Sequence, residues 1–450
     1  MPISSNSAMC FSIASRSRPV HPAITRLLIC TVRASPSNSN PNSLGALISS
    51  YFDLSIVFLA ALYCSILPVK FRKTNSQLKV REMKIKSVTP IGISTPLTNP
   101  IKMAKNTITH ADSLVVRIED TDGNIGWGEA SEAPMMNGEM SAGMIAAVKF
   151  ITPRLEGLEV ETAQDFFPAV DRFIYGNEGA LSGLDMAIYD LFGKRERKPV
   201  YELLGGKHRD RVPVLWMLAA NDLKKDVAAS QPKLDEGFIV FKVKAGISSA
   251  TEDVERVAAV RDAIGKGPRL SADANMGFKF EEAIKFAESA EAAGLDFLEQ
   301  PINSSNLNGM ADITAVAHPV GICADEGIHS LSDVEAHHVA KAATGCGFKS
   351  IKLGGLTRMH EGAVLANDYG MHVNIAGKMA ETAIASAALV HMAIAVPQIN
   401  WDMSATNQYL QKDLAKNPPT VVDGHLAVDD TPGLGLDIDE DEIERITVLK

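Results

Sequence analysis

The strongest constraint on the fold of this chain is an alternation of short apolar segments with longer helical stretches between Val212 and Asp402. Eight such segments occur, and most carry polar residues at or near their ends. They span residues 212–218, 238–244, 269–275, 296–301, 321–326, 349–353, 372–376 and 398–402. Alternation of this kind predicts βα units and a parallel sheet. Eight units fit a (β/α)₈ barrel, although a doubly wound open sheet produces the same local pattern.

The stretches between these segments carry helix start and stop signals. Ser249 and Glu252 form the S-x-x-E pattern of a capping box after the second segment. Apolar residues then continue at helical spacing until Gly265 and Gly267. This stretch is predicted to be one complete helix of a barrel that covers residues 211–425, with an irregular last unit.

Residues 83–210 are predicted to form an α+β capping domain. Alternating segments at residues 88–93 and 113–119 indicate strands, and a turn at residues 121–124 leads into a further strand, IGWGEA. Helical periodicity follows until Gly205 and Gly206. The C-terminal residues 426–450 are expected to return to this capping domain.

The first 82 residues differ in composition from the rest. No Asp or Glu occurs from Met1 to Ser50, where arginines lie among many serines, as in an organelle transit peptide. An uncharged apolar run of sixteen residues follows from Leu54 to Val69; a membrane-spanning helix needs about 20. Residues 1–82 are therefore expected to be an extension: disordered, a targeting segment, or a mis-annotated stretch before a true start at Met83.

Charge and cysteine content narrow the class of partner. The formal net charge is −10, and no long basic run occurs after residue 82, which argues against a nucleic-acid partner. A small molecule is the expected partner, with no membrane association in the mature protein. Only Cys323 and Cys346 of the five cysteines lie beyond residue 82, in no metal-binding or redox spacing. Reduced thiols and a cytoplasmic location are expected, or import into an organelle if residues 1–82 are present.

Polar residues at the ends of the apolar segments are the informative feature for function. In a barrel, the C-terminal ends of the strands form the catalytic face. Residues two apart on a strand point to the same side. The polar residues at the ends of the second to sixth segments are Lys242, Lys244, Asp273, Asn275, Glu299, Gln300, Asp325, Glu326 and Lys352.

Three of these residues predict a metal site. Asp273, Glu299 and Asp325 recur at steps of 26 residues, so each is expected at the end of the next strand. Converging carboxylates need a cation, and oxygen ligands suit Mg²⁺, with Mn²⁺ as the alternative. The ion would bind a substrate carboxylate and stabilise the enediolate formed when the adjacent carbon loses a proton. Lys244, crowded by Lys242, is the expected base, and Lys352 is expected to face the same carbon from the other side.

Each of these residues has an ordinary structural explanation when it is taken alone. A Lys-x-Lys pair is most often a solvated strand edge, and an Asp after a strand often caps the following helix. Such explanations do not account for polar residues at the ends of five consecutive segments. The joint pattern therefore favours a metal-dependent enzyme.

The motifs KVK, DAN, EQP, ADE and KLGG, in this order, resemble those of the enolase superfamily and its muconate lactonizing enzyme subgroup. The resemblance covers nearly all of residues 83–450 and implies the barrel, the capping domain and Mg²⁺ dependence. It further implies metal binding by Asp273, Glu299 and Asp325. Lys244 and Lys352 would be general acids and bases, with Lys242 in support. The mandelate racemase subgroup uses a histidine at the end of the seventh strand, whereas His372 begins that segment here.

Four further residues are candidates for substrate contacts or for support of the metal site. Asn275 and Glu326 follow metal-ligand candidates, and Asn275 could instead be a turn-forming residue. Lys378 could meet an anionic substrate group or face water. Asp402 could bind a substrate ammonium or cap a helix. Residues 134–140, with Met135, Met136 and Met140, could form a lid, although packing is the simpler explanation for these methionines and for Trp401.

Several reactions fit two opposed lysines. Racemisation or epimerisation of an amino-acid-like carboxylate is the preferred hypothesis, with muconate-type cycloisomerisation and dehydration of a hydroxy amino acid, such as a hydroxyproline, as alternatives. The partial Asp-x-Asp pattern at Asp402 leaves the substrate open. A different class of protein, a barrel that binds ligands without catalysis, would be expected to lack a ligand or lysine. Family habit further implies a homo-oligomer.

Overall fold

The computed structural model describes residues 83–102 and 107–449, which belong to one compact unit. The predictions for residues 1–82 lie outside this part of the chain. The N-terminal layer, called the cap below, is an antiparallel sheet covered by helices. Its elements are β1 (Met83–Lys102), β2 (Thr107–Asp120), β3 (Ile125–Ser131), α1 (Ser141–Leu155), β4 (Glu159–Val160), α2 (Ala163–Asp171), α3 (Glu178–Glu196) and α4 (Val200–Leu203).

The cap sheet is built on the predicted hairpin. The Asp120 carboxylate accepts hydrogen bonds from the backbone N–H groups of Asp122 and Asn124, which fixes the turn between β2 and β3. Gly126 and Gly128 on β3 lie against the backbone of α3, where a Cβ would collide with it. The glycines of IGWGEA therefore let α3 pack directly on the sheet.

The elements that follow alternate largely as predicted. They are β5 (Arg211–Pro213), β6 (Leu215–Leu218), α5 (Leu223–Asp235), β7 (Val240–Lys244), α6 (Ala250–Ile264), β8 (Arg269–Asp273), α7 (Phe280–Ala290), β9 (Phe297–Glu299), α8 (Leu307–Ala317), β10 (Gly321–Ala324), α9 (Leu331–Ala340), β11 (Gly345–Phe348), α10 (Ser350–Leu353), α11 (Leu356–Asp368), β12 (His372–Ala376), α12 (Ala383–Ala395) and β13 (Met403–Ser404). The first of these elements, β5, lies outside the barrel sheet. The Ser249 capping box is present at the start of α6, and Gly265 ends that helix.

Eight parallel strands run in the order β6 to β13, each beside its neighbour in sequence. A parallel bridge between Val214 and Met403 joins the first strand to the last. This closure confirms the (β/α)₈ barrel and excludes the open sheet. The chain ends with β14 (His425–Ala427), α13 (Glu440–Ile446) and β15 (Thr447–Leu449), and β15 pairs with β1 of the cap.

Two of the predicted strands are wrong. The sixth strand is Gly345–Phe348, and residues 350–353, predicted as strand, form the one-turn helix α10. The eighth strand is Met403–Ser404, so Asp402 precedes it rather than ending it. The glycine-rich segment GCGF has low intrinsic strand propensity, which is why the neighbouring KSIKL was the more strand-like pattern.

Trp401 closes the bottom of the barrel, where the strands begin. Its ring stacks on Phe297 with 4.3 Å between ring centroids and an angle of 13° between planes. A Cβ on Gly321 or Gly345, the first residues of β10 and β11, would collide with the indole. Trp401 is therefore a packing residue, as the simpler explanation predicted.

Within the described residues, no helix has the length and apolar character needed to cross a membrane.

Candidate active site

The predicted metal ligands lie side by side at the top of the barrel. Backbone pairing aligns Lys244 with Asp273, Asp273 with Glu299, and Glu299 with Cys323. Asp325 follows two residues later, just beyond β10. The structure therefore brings the three carboxylates together on neighbouring strand ends.

Each of these buried carboxylates accepts a hydrogen bond from a lysine side chain. Lys244 Nζ lies 2.5 Å from Asp273 Oδ2, Lys242 donates to Glu299, and Lys349 donates to Asp325. Among the described residues, no group of three or more His, Cys, Asp or Glu side chains is arranged to hold an ion in this conformation. The donor set nonetheless fits a hard divalent cation, because three buried carboxylates on adjacent strand ends offer only oxygen ligands.

Burial and pairing shift the pKa values of these acids in opposite directions. Burial opposes ionisation of Asp273, but Lys244 and Lys242 outweigh it and lower the pKa of this carboxyl group. Lys349 and Lys352 likewise lower the pKa of Asp325 against the effect of burial. The pKa of Glu299 is raised by burial and by the charge of Asp273. The three carboxylates thus repel one another, and lysines balance their charge in this structure, a role that a bound cation would share.

Two of the acids, Asp273 and Glu299, border a cavity of about 280 Å³ that opens at the catalytic face. Its charged end is formed by Lys242, Lys244, Asp273, Glu299 and Lys349. The other lining side chains are largely apolar, with a few polar groups among them, and include Met136, Leu215, Met217, Ile247, Lys378, Met379, Ser404, Thr406 and Tyr409. Such a cavity suits a small carboxylate with an apolar body.

The cap contributes one wall of this cavity. Met136 lines it, whereas Met135 and Met140 are exposed at the surface. Asn137 donates a hydrogen bond of 3.1 Å to the carbonyl oxygen of Ile351 in the barrel. The predicted lid segment thus lies over the barrel mouth, with one of its three methionines facing the cavity.

Lys352 does not lie where it was predicted. It is fully buried in α10 and donates to Asp325 Oδ1 at 2.7 Å, to the Gly347 carbonyl at 3.0 Å and to the Asp325 carbonyl. It is absent from the cavity lining, whereas Lys349, directly after β11, is present there. One sequence signal could have identified Lys349, since it directly follows an apolar run, as Lys244, Asp273 and Asp325 do.

Asn275 and Glu326 lie beside the carboxylates. Asn275 Oδ1 accepts a hydrogen bond of 2.7 Å from Lys244, and its Nδ2 donates to Glu326 Oε1 at 3.1 Å. Burial and the charge of Asp325 raise the pKa of Glu326 to about 7. Glu326 Oε2 is buried without a hydrogen-bond partner in the described part of the chain. Both residues thus lie beside Asp273 and Asp325, and their support of a metal site stays a prediction.

Lys378 and Asp402 differ in their position relative to the cavity. Lys378 lines the cavity, and burial lowers the pKa of its ammonium. Asp402 is ion-paired with Arg269, the first residue of β8, and so lies at the bottom of the barrel. Asp402 is not among the residues that line the cavity, and its carboxylate is already paired with Arg269, so the structure lends no support to binding of a substrate ammonium by Asp402.

Comparison with known proteins identifies the family. Residues 87–205 match the mandelate racemase/muconate lactonizing enzyme N-terminal domain, and residues 225–442 match the enolase C-terminal domain-like family. The chain is 30% identical to muconate cycloisomerase 1 of Pseudomonas putida over 351 residues, which is 77% of this chain and 93% of that protein. This chain belongs to the mandelate racemase/muconate lactonizing enzyme family of the enolase superfamily.

Other family members are equally similar over the same region. N-succinyl-L-Arg/Lys racemase of Bacillus cereus is 28% identical over 370 residues, covering 82% of this chain and 99% of that protein. The crystal structure of the muconate lactonizing enzyme from Pseudomonas fluorescens, in complex with muconolactone, has a TM-score of 0.78 and 30% identity, covering 81% of this chain and 99% of that one. The prediction of an isomerase-type enzyme in the muconate lactonizing enzyme subgroup is confirmed at this level.

Proposed function

We propose that this enzyme racemises or epimerises an amino-acid-like carboxylate by moving the proton of the adjacent carbon, with Lys244 and Lys349 as opposed bases. One observation carries the proposal. β7 and β11 lie four places apart in a closed barrel of eight strands, so their ends stand opposite each other. Both lysines line the cavity between them. A carbon held there can lose a proton to one lysine and regain it from the other.

In this proposal Lys349, and not Lys352, is the second base. A base must reach the substrate, and the three hydrogen bonds of Lys352 keep it fully buried against Asp325 and Gly347. We assign Lys352 to holding Asp325. Lys242 supports Glu299 in the same way, and its pKa is raised to about 12 because Glu299 and Asp273 outweigh the effect of burial.

Asp273, Glu299 and Asp325 would hold the divalent cation, with Mg²⁺ preferred and Mn²⁺ as the alternative. The bound ion would supply positive charge to the substrate carboxylate as charge develops there. Lys244 and Lys349 are bonded to Asp273 and Asp325 in this structure. When those oxygens bind a cation, both amines are free to turn towards the substrate.

The substrate proposed is an N-acylated amino acid with a second anionic group, such as an N-succinyl amino acid. The walls of the cavity beyond the lysines are largely apolar, which suits an acyl chain. Lys378, which lines the same cavity, provides a further cation for the distal anion. The 28% identity to an N-succinyl-L-Arg/Lys racemase supports this choice.

Muconate-type cycloisomerisation is the second candidate, because identity to muconate cycloisomerase 1 reaches 30%. Muconate also carries two carboxylates, so the same cavity and Lys378 would serve it. Dehydration of a hydroxy amino acid begins with the same proton abstraction. It differs in the next step, in which the enediolate expels the β-hydroxyl group as water and is not reprotonated.

Solvent exchange tests the proton abstraction directly. The purified enzyme is incubated in D₂O with N-succinyl-L-lysine and N-succinyl-D-lysine, and separately with cis,cis-muconate and with hydroxyprolines. Deuterium at the α-carbon is measured by NMR, in Mg²⁺ and in excess EDTA. We expect exchange and racemisation of both succinyl-lysine enantiomers in Mg²⁺ and neither in EDTA. Lactone or dehydrated product without α-exchange of the succinyl-lysines would favour an alternative reaction.

Single lysine variants test the two-base assignment. Lys244→Ala and Lys349→Ala are each expected to abolish exchange from one enantiomer and to retain it from the other, because the second base still reaches its own face. Lys352→Met, the matched control, is expected to cost stability, on the order of 3 kcal/mol, because Asp325 loses a buried partner. The folded variant should still exchange both enantiomers. Loss of a single enantiomer in Lys352→Met would return the role of base to that residue.

A further inference from the structure

Arg256 carries a buried charge behind the catalytic face, on α6. Its side chain is nearly inaccessible, and it is ion-paired with Asp226 at 3.2 Å and with Asp253 at 2.6 Å. The same guanidinium donates a hydrogen bond to the backbone carbonyl of Lys244. These three side chains, Asp226, Asp253 and Arg256, are called the Arg256 cluster.

The two acids of the cluster accept hydrogen bonds from backbone just beyond the ends of two adjacent barrel strands. Asp253 Oδ2 accepts the N–H of Gly246 at 2.7 Å, two residues after Lys244. Asp226 Oδ1 accepts the N–H of Ala220 at 2.9 Å, just after β6. Both acids are fully buried. The cluster therefore fixes the chain where it leaves β6 and β7.

We propose that Arg256 is a positioning residue for Lys244, an inference that rests on the base role proposed above for that lysine. Pairing with β8 holds Lys244 on one side, where its backbone is aligned with Asp273. The Arg256 cluster holds the carbonyl of Lys244 and the N–H of Gly246 on the other. The direction in which the Lys244 side chain enters the cavity is thereby set by both.

Only an arginine meets the geometry. Its guanidinium presents several donors in a fixed plane, and here they reach two carboxylates and one carbonyl at once. A lysine at this position keeps the charge but offers one nitrogen for three acceptors. Arg256→Lys should therefore retain the buried charge balance while it releases the backbone of Lys244.

The test compares Arg256→Lys with Arg261→Lys. Arg261 lies on the same helix and also bonds backbone carbonyls, those of Gly265, Pro268 and Gly294, but it is remote from Lys244. Exchange of N-succinyl-L-lysine and N-succinyl-D-lysine is measured in D₂O with Mg²⁺. We expect Arg256→Lys to slow the enantiomer that Lys244 serves by about 10-fold or more, since small misplacements of a reacting group are that costly. The enantiomer served by Lys349 should be little changed, and Arg261→Lys should slow neither.

A chemical readout keeps the test independent of the proposed function. Metal-free protein is labelled with limiting acetic anhydride, and the acetylation of each lysine is followed by peptide mass spectrometry. Lys244 should react faster in Arg256→Lys than in the wild type, because it is no longer held against Asp273 and Asn275. Lys378, in the same cavity, should keep its rate. If no variant or wild type exchanges any substrate, the proposed function fails while this labelling still decides the role of Arg256.

Two results would overturn the inference. Equal slowing of both enantiomers would mean that Arg256 supports the fold in general. An unchanged labelling rate of Lys244 would mean that its backbone does not depend on the cluster. If Arg256→Lys does not fold, Asp253→Asn removes one ion-pair partner of Arg256 and is measured in the same two assays.

Discussion

Two lysines three residues apart, Lys349 and Lys352, bond different oxygens of the same carboxylate and yet have different surroundings. Lys349 reaches Asp325 from the cavity, and Lys352 reaches it from inside the protein. Access to the cavity, which a base requires, therefore differs between two lysines that share one carboxylate. In the sequence both are lysines of the segment KSIKL, so residue type and spacing do not distinguish them.

His391 is a residue whose environment predicts a dependence of stability on pH. It is buried in α12, where its Nδ1 accepts the backbone N–H of Tyr201 at 3.3 Å. Burial lowers the pKa of this histidine to about 4, below its ordinary value of about 6.5. Between these two values the unfolded chain binds a proton that the folded chain does not, so stability is lost as the pH falls through this range.

Replacement of His391 should remove its contribution to the loss of stability at low pH. His391→Asn keeps an acceptor for Tyr201 but does not titrate, so its free energy of unfolding should fall less than that of the wild type between pH 6.5 and 4. The difference should approach about 1.4 kcal/mol for each pH unit below 6.5. Urea unfolding at pH 7.5, 6 and 5 measures it, with exposed His338→Gln as the control. Parallel pH profiles for wild type and His391→Asn would contradict the prediction.

At the scale of elements, β11 illustrates how packing overrides strand propensity. Its sequence GCGF has two glycines, yet it forms one strand of the barrel sheet and is hydrogen-bonded to β10 on one side and β12 on the other. The first glycine makes room for the indole of Trp401. The element is therefore a strand because its neighbours require one there and because Trp401 leaves no space for a side chain.

Gly345→Ala should consequently destabilise the barrel. The added methyl group would overlap Trp401 and crowd His372, and overpacking of this kind costs about 1–3 kcal/mol. Gly267→Ala is the matched control, since a Cβ there meets nothing within 4 Å and the residue is not in the left-handed region. Thermal unfolding of both variants measures the effect. Equal melting temperatures would show that the bottom of the barrel can rearrange around the methyl group.

At the scale of the whole molecule, the cap and the barrel are joined by buried acids at helix N-termini. Glu129 of β3 accepts the N–H and hydroxyl of Thr382 and the N–H of Ala385, at the start of α12. Asp185 of α3 accepts the N–H and hydroxyl of Thr357, at the start of α11. Each acid satisfies donors that the barrel helix leaves unpaired.

Glu129→Gln should weaken this junction. An amide NH₂ facing N–H donors cannot replace a carboxylate oxygen, and the buried mismatch should cost about 1–3 kcal/mol. Glu252→Gln is the comparison, because that acid serves an exposed capping box in which Gln is also accepted. Urea unfolding should show a clear loss for the first variant and little for the second. Equal losses would mean that the junction adds nothing beyond a local cap.

Local patterns in the sequence were sufficient for much of the architecture. The alternation of apolar segments predicted six of the eight barrel strands in place, and the Ser249 capping box predicted the start of α6. The acids at strand ends were found because consecutive parallel strands bring equivalent positions together. These features depend on hydrophobic periodicity and on backbone geometry within one or two elements, which a sequence displays directly.

Tertiary structure decided what depends on distant neighbours. Closure through Val214 and Met403, the ion pair of Asp402 with Arg269, and the presence of Lys349 rather than Lys352 in the cavity lining all depend on elements far apart in the chain. The hydrogen bond from Arg256 to the Lys244 carbonyl also depends on tertiary structure, because the sequence around Arg256 indicates only an ordinary residue of a helix. The physical reason is that burial and partnership are properties of the packed molecule, whereas residue type and spacing describe only the chain.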